Sequence, residues 1–220
     1  MRKVFILIAF ICCCALPAFA QDGSHEYAPI KEQEIEYKNW TYKQTTDASA
    51  PAIELRQWAK DKKLTLVVYF ASWCHNWQNE APVVARLYEK YHPYGFDVIA
   101  VSEYSTPTDR QMYFHDHVVA YPVVFESEAR DARDKTTHYG YRQLTGDTRK
   151  WGSPYNIFLE PKKLKHDGDV LTKKAWVVNG ELVEAEAEQF IREKLKLKPT
   201  DAPAFTPPSA PTNTPTPKQP

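Results

Sequence analysis

Cys74, His75 and Glu80 fall within one seven-residue stretch, with Trp73 just before them and Trp77 among them. An apolar run, Leu64 to Phe70, leads into Ala71-Ser72-Trp73-Cys74, and an amphipathic pattern follows. A thiol at that junction sits where a strand gives way to a helix. The first turn of a helix offers unpaired N–H groups and the positive end of the macrodipole, and both favour thiolate. Thiolate is the species that attacks a disulfide, and a protonated His75 would add to the positive field. Position 77, where a Cys-x-x-Cys pair would place its second thiol, is Trp. Exchange at Cys74 would therefore stop at a mixed disulfide until an outside thiol released it. The competing reading makes Cys74 a small buried hydrophobe. Trp77 has two readings as well: core filler, or a ring behind Cys74 that shapes a partner groove.

The elements that must hold this sulfur can be read from periodicity. Leu64 to Phe70 is apolar almost throughout, as in a central parallel strand buried on both faces. Cys74 to Tyr91 carries Trp77, Ala81, Val84, Tyr88 and Tyr91 at helical spacing, a core-facing stripe interrupted by Pro82. Phe96 to Val101 reads as a second buried strand, Thr108 to Ala120 as a helix and Val123 to Phe125 as a short strand. Ile35 to Tyr42 suits an edge strand, and Pro51 opens a helix to Lys62. Glu126 to Trp151 is charged and irregular, with a helical piece near Ala129 to Lys135. Tyr155 to Leu159 is a strand behind Ser153-Pro154. Asn179-Gly180 suits a two-residue turn joining Ala175–Val178 to Glu181–Glu184 as a hairpin, and Ala185 to Leu197 is a closing helix. This order predicts an α/β fold, a mixed central sheet flanked by helices.

The ends follow other rules. Arg2 and Lys3, the apolar run Val4 to Ala15, and Ala18-Phe19-Ala20 before Gln21 read as a secretory signal peptide over residues 1–20. The run is too short to favour a membrane span, so no stable membrane insertion is expected after cleavage, and the expected location is periplasmic. Cys12, Cys13 and Cys14 would leave with the leader, and their flanking residues match a lipidation site poorly. Cys74 is then the only thiol, so no internal disulfide can form. Residues 21–49 read as an N-terminal extension, 50–197 as the domain, and 198–220 as a Pro- and Thr-rich disordered tail. Basic and acidic residues are balanced at 28 each. Loss of Arg2 and Lys3 leaves a net charge of about −2, with no basic stripe for nucleic acid.

The stretch Trp73-Cys74-His75-Asn76-Trp77-Gln78-Asn79-Glu80-Ala81-Pro82, with Ser153-Pro154 before a later strand, resembles the thioredoxin superfamily. Within it the pattern is similar to the secreted TlpA- and ResA-type thiol–disulfide oxidoreductases associated with cytochrome maturation, whose motif is Trp-Cys-x-x-Cys-x-x-Glu-x-Pro. The resemblance covers roughly residues 50 to 197 and includes Tyr121-Pro122-Val123-Val124. It implies a thioredoxin fold. It implies catalytic roles for Cys74, for Glu80 as a proton-handling or tuning group, and for a cis Pro154. It implies a substrate groove at Trp73, His75, Trp77 and Ser153. The family's resolving cysteine is replaced by Trp77, and a segment near Leu144 to Trp151 is inserted before Pro154, so the dithiol cycle does not carry over.

The function this predicts is thiol–disulfide exchange through Cys74 alone, as a monothiol reductase or isomerase-like shuffler. The partners would be protein or small-molecule thiols and disulfides, with an external thiol donor and no cofactor. A redox-inactive binding module using the same groove is the alternative, with the Pro-rich tail as spacer or ligand. Other chemistries lack support. His115 and His117, two apart, would point to different faces of a helix, which argues against a metal site. Peroxide-reducing cysteines of related folds usually have Thr or Ser three residues earlier, where Ala71 stands. No phosphate loop, dinucleotide fingerprint or nucleophile elbow is present.

Overall fold

The structure is a computed structural model that describes residues 25–45, 49–198, 200 and 201. The leader and most of the C-terminal tail lie outside the described residues. In chain order the elements are β1 (Lys31–Lys38), β2 (Thr41–Gln44), β3 (Ile53–Glu54), α1 (Leu55–Ala59), β4 (Leu64–Phe70), α2 (His75–Tyr91), β5 (Phe96–Ser102), α3 (Pro107–Asp116), β6 (Val123–Phe125), α4 (Thr137–Thr145), β7 (Tyr155–Leu159), β8 (Val170–Val178) and α5 (Glu184–Leu195).

The strands form one mixed sheet in the order β1-β8-β7-β4-β5-β6-β2-β3. At its centre β4 runs parallel to β5 and antiparallel to β7. Every residue of β4 and β5 is buried, which accounts for their unbroken apolar sequence. Alternation still sorts the side chains. Leu64, Leu66, Val68 and Phe70 join a core with Trp77, Val84 and Leu87 of α2 and with Ala187 and Ile191 of α5. Val67 and Tyr69 point the other way, into a second core with Ile35, Tyr37, Leu55 and Tyr141.

Several expected elements take a different form. The predicted edge strand Ile35–Tyr42 is two strands, β1 against β8 and β2 against β6, at opposite ends of the strand order. Only Asn39 and Trp40 separate them. A flat sheet would hold them about 29 Å apart at six strand spacings, whereas three Cα steps reach at most about 11 Å. The sheet must therefore curl until its outer strands nearly meet. Register shifts on either side of Tyr37 help β1 to bend.

The helix expected over Pro51–Lys62 is only α1, because Ile53 and Glu54 pair with β2 and the Glu54 carboxylate caps the helix at Gln57 N. The Asn179-Gly180 hairpin does not form. The Asn179 side chain instead exchanges hydrogen bonds with Thr145, and Glu181 bridges to Tyr27. Strand β8 pairs with β7 and β1. In the segment read as irregular, Arg133–Lys135 is a short 3-10 turn and α4 is a full helix. The α4 caps are ordinary: Thr136 accepts from Tyr139 N, and Gly146 follows at φ +74°. Its buried residues are His138, Tyr141, Arg142 and Thr145, which give no apolar period. Helix α3 stops at Asp116 rather than Ala120.

Candidate functional site

Strand β4 ends at Phe70, and the chain turns once before α2. Cys74 is the N-cap of that helix, with extended backbone and no side-chain capping bond. The first turn of α2 holds no acidic residue, so nothing there opposes the field of the helix start. Two hydrogen bonds fix the turn from outside. Ala71 N donates to Ser153 Oγ at 2.8 Å, and Ser72 N donates to Ser105 Oγ at 2.9 Å. The Cys74 thiol, half-buried, donates to the Ser153 carbonyl at 3.2 Å. Ser153 thus holds the turn through its hydroxyl and meets the sulfur through its backbone. The Ser153–Pro154 peptide bond is cis.

Loop 146–154 is held to the body by buried charge. Arg142 and Asp147 form an ion pair at 3.1 Å with both side chains 1% exposed. Arg149 closes on the same carboxylate at 2.7 Å and donates to the Pro154 carbonyl at 2.8 Å. Burial alone would raise the Asp147 carboxyl; the bonds from Arg149 and the charge of Arg142 hold it below the usual range. Gly152, at φ +56°, passes so close that a Cβ there would lie 1.8 Å from Arg142 Nε. Behind the loop, His138 is fully buried, stacked on Tyr69 and bonded to Tyr104 Oη at 3.1 Å. Burial pushes its imidazole well below the usual value, so it is neutral.

Glu80 lies two turns along α2 and is 1% exposed. Its Oε2 accepts from Leu182 N at 2.5 Å and from Asn156 Nδ2 at 3.2 Å. Its Oε1 is buried with no hydrogen-bond partner among the described residues. Burial pushes the carboxyl up to about 8, partly offset by those two bonds. A neutral acid is therefore its main form near pH 7. The six-residue step from Cys74 to Glu80 corresponds to about 9 Å of helix rise, beyond direct proton transfer.

Trp73 and Trp77 part company. Trp73, half-buried, donates from Nε1 to the Tyr104 carbonyl at 2.9 Å and meets the Trp151 ring edge-on at 5.2 Å. Trp77 is 1% exposed and packs its ring against Phe70, tilted by 32° with the centroids 4.4 Å apart. The expectation that Trp77 lines a surface groove is therefore corrected: its position on the inward stripe of α2 buries it in the core. His75 is exposed at the first position of α2. The structure thus gathers Cys74, Trp73, His75, Ser153 and Pro154 at one end of the sheet, with Glu80 beneath. Among the described residues, no group of three or more His, Cys, Asp or Glu is placed to hold a metal ion.

Sequence reasoning did not single out Asn156, Arg149 or Trp151. Asn156 was visible as the one amide inside an apolar strand. Arg149 and Trp151 lay in a segment read as irregular, where no periodic signal marks which side chains converge.

A parallel β4–β5 pair, an antiparallel β7–β8 pair, a cysteine at the start of α2 and a cis proline facing it define a thioredoxin fold. The sequence profile of the AhpC/TSA family matches residues 36–151, more than half of the chain, and the chain belongs to that family. Three solved structures share the architecture. They are a thiol:disulfide interchange protein of the thioredoxin family from Chlorobium tepidum TLS (16% identity, 74% of this chain and 97% of that one, TM-score 0.51), a DsbF homologue from Corynebacterium diphtheriae (15%, 78% and 88%, 0.50) and a secreted thiol-disulfide isomerase from Corynebacterium glutamicum (11%, 80% and 89%, 0.50). At these identities the likeness is one of fold. No curated protein matches the chain.

Proposed function

We propose that this protein exchanges thiols and disulfides through Cys74 alone, with a TlpA-like scaffold and without a resolving cysteine of its own. The observation that supports this reading best is the half-buried sulfur at the start of α2, facing the Ser153 carbonyl across a cis proline. In the reaction, the Cys74 thiolate attacks one sulfur of a disulfide. The old S–S bond breaks, a Cys74–S–S–R bond forms, and the other half leaves as thiolate. An external thiol then attacks the mixed disulfide and regenerates Cys74. Glu80 would be a positioning or tuning group acting through its field or through intervening water. His75, Trp73 and Ser153 would border the partner. Residues 1–20 would direct export, and residues 50–197 would carry the site.

Similar structures include a thiol:disulfide interchange protein and a thiol-disulfide isomerase, which agrees with this chemistry for the fold. The competing binding module finds support in Trp77, which fills the place of a second thiol with core. An insulin-reduction assay with dithiothreitol separates the two. The exchange reading expects turnover that Cys74→Ser abolishes. Absence of turnover in the parent protein would favour the binding module, and turnover surviving Cys74→Ser would leave only non-thiol explanations.

A further inference from the structure

Segment 126–136 and the loop before Pro154 together bring cations to the aromatic wall beside Cys74. The Arg130 guanidinium lies 4.3 Å above the ring of Trp73, the residue adjoining Cys74. Trp151 meets that ring edge-on and carries two cations of its own, Arg133 at 5.4 Å and Lys150 at 5.2 Å. Arg133 Nη1 also donates to the Lys150 carbonyl at 2.8 Å, so the two are held side by side. Three cations thus converge on two indoles at the mouth of the thiol site.

Their counter-charges are few. Arg130 has Asp109 at 3.5 Å, a carboxylate already occupied in capping α3 through Thr106. Asp131 and Asp134 are exposed on the same segment. Among the described residues, no carboxylate lies within ion-pairing distance of Arg133 or Lys150. An indole face attracts a cation without neutralising it, so Arg133 and Lys150 keep their charge available to a ligand.

We infer that this wall selects small anionic thiols and disulfides, molecules whose carboxylates reach Arg133 and Lys150 while their chain lies along Trp73. The inference rests on the exchange reading and names its substrate class. The steps are those given above: the S–S bond of the anionic disulfide breaks, Cys74 is oxidised into the mixed disulfide, and the departing half is reduced to its thiolate.

Three disulfides test it: glutathione disulfide, doubly negative; 2-hydroxyethyl disulfide, neutral; and cystamine, doubly positive. Rates of adduct formation at Cys74 are followed by peptide mass mapping, each divided by the same disulfide's rate with a free small thiol. The expected order is anionic, neutral, cationic, with the anionic probe favoured over the cationic by about tenfold or more at low salt and the advantage shrinking near 1 M salt. The double variant R133Q/K150Q should lose most of the anionic-to-neutral ratio. R133K should keep it, and K173Q, an exposed lysine on β8, should leave it unchanged. Equal normalised rates, or a preference for cystamine, overturn charge selection while leaving exchange intact. No adduct with any of the three overturns both.

Discussion

At the scale of single residues, Glu80 gives the clearest pH signature. Its ordinary value is 4.5, and the fold raises it to about 8. Between those values the unfolded chain has lost a proton that the folded chain keeps, so stability falls as pH rises across that window and levels off above it. The slope is at most about 1.4 kcal/mol per pH unit. Glu103, raised by its own burial, adds a slope of the same sign. The difference between the parent protein and Glu80→Gln isolates Glu80: in denaturant titrations from pH 5 to 8, the variant should gain stability relative to the parent as pH rises. A difference independent of pH would mean the carboxyl is not buried in this way. Trp77 yields a second expectation. Restoring a second cysteine with Trp77→Cys empties a fully buried site against Phe70, and a loss of about 3–5 kcal/mol is expected, measurable by chemical denaturation. A loss under about 1 kcal/mol would show that the indole is not part of the core.

At the scale of elements, loop 146–154 is the piece that sets the site, and Gly152 is its weak point. Gly152→Ala adds a Cβ into Arg142 and strains a left-handed backbone. The expected cost is about 2 kcal/mol or more, seen as a lowered Tm together with faster alkylation of Cys74 as the Ser153 contact loosens. An unchanged Tm would show that the loop has room. The same elements show what could be read from sequence. Strand β4, the thiol at the start of α2 and the proline before β7 were legible because their signals are local: an apolar run, a helical stripe and a motif. Helix α4 was not, since it buries His138, Tyr141, Arg142 and Thr145, and hydrophobic periodicity cannot see a helix whose inward face is polar and aromatic. Its Thr136 and Gly146 caps were the signal available. Asn179-Gly180 misled for the opposite reason. A strong local turn preference lost to Thr145 and to the Tyr27 bridge, which lie far away in sequence.

At the scale of the whole molecule, the curled sheet ties the N-terminal strands to both edges of the fold, with Tyr37 Oη bonded to Tyr69 Oη at 2.8 Å across the interior. Truncation beyond β1 should therefore unfold the domain rather than trim it, as circular dichroism would report; a native spectrum would show β1 to be dispensable. Cys74 is the only cysteine among the described residues, so no other described residue can release a bound partner. Its mixed disulfide should persist until thiol is added. The most direct measurement is peptide mass mapping after incubation with glutathione disulfide. An adduct at Cys74 is expected, lost in Cys74→Ser and discharged by added dithiothreitol. An unmodified Cys74 in the folded protein would contradict it.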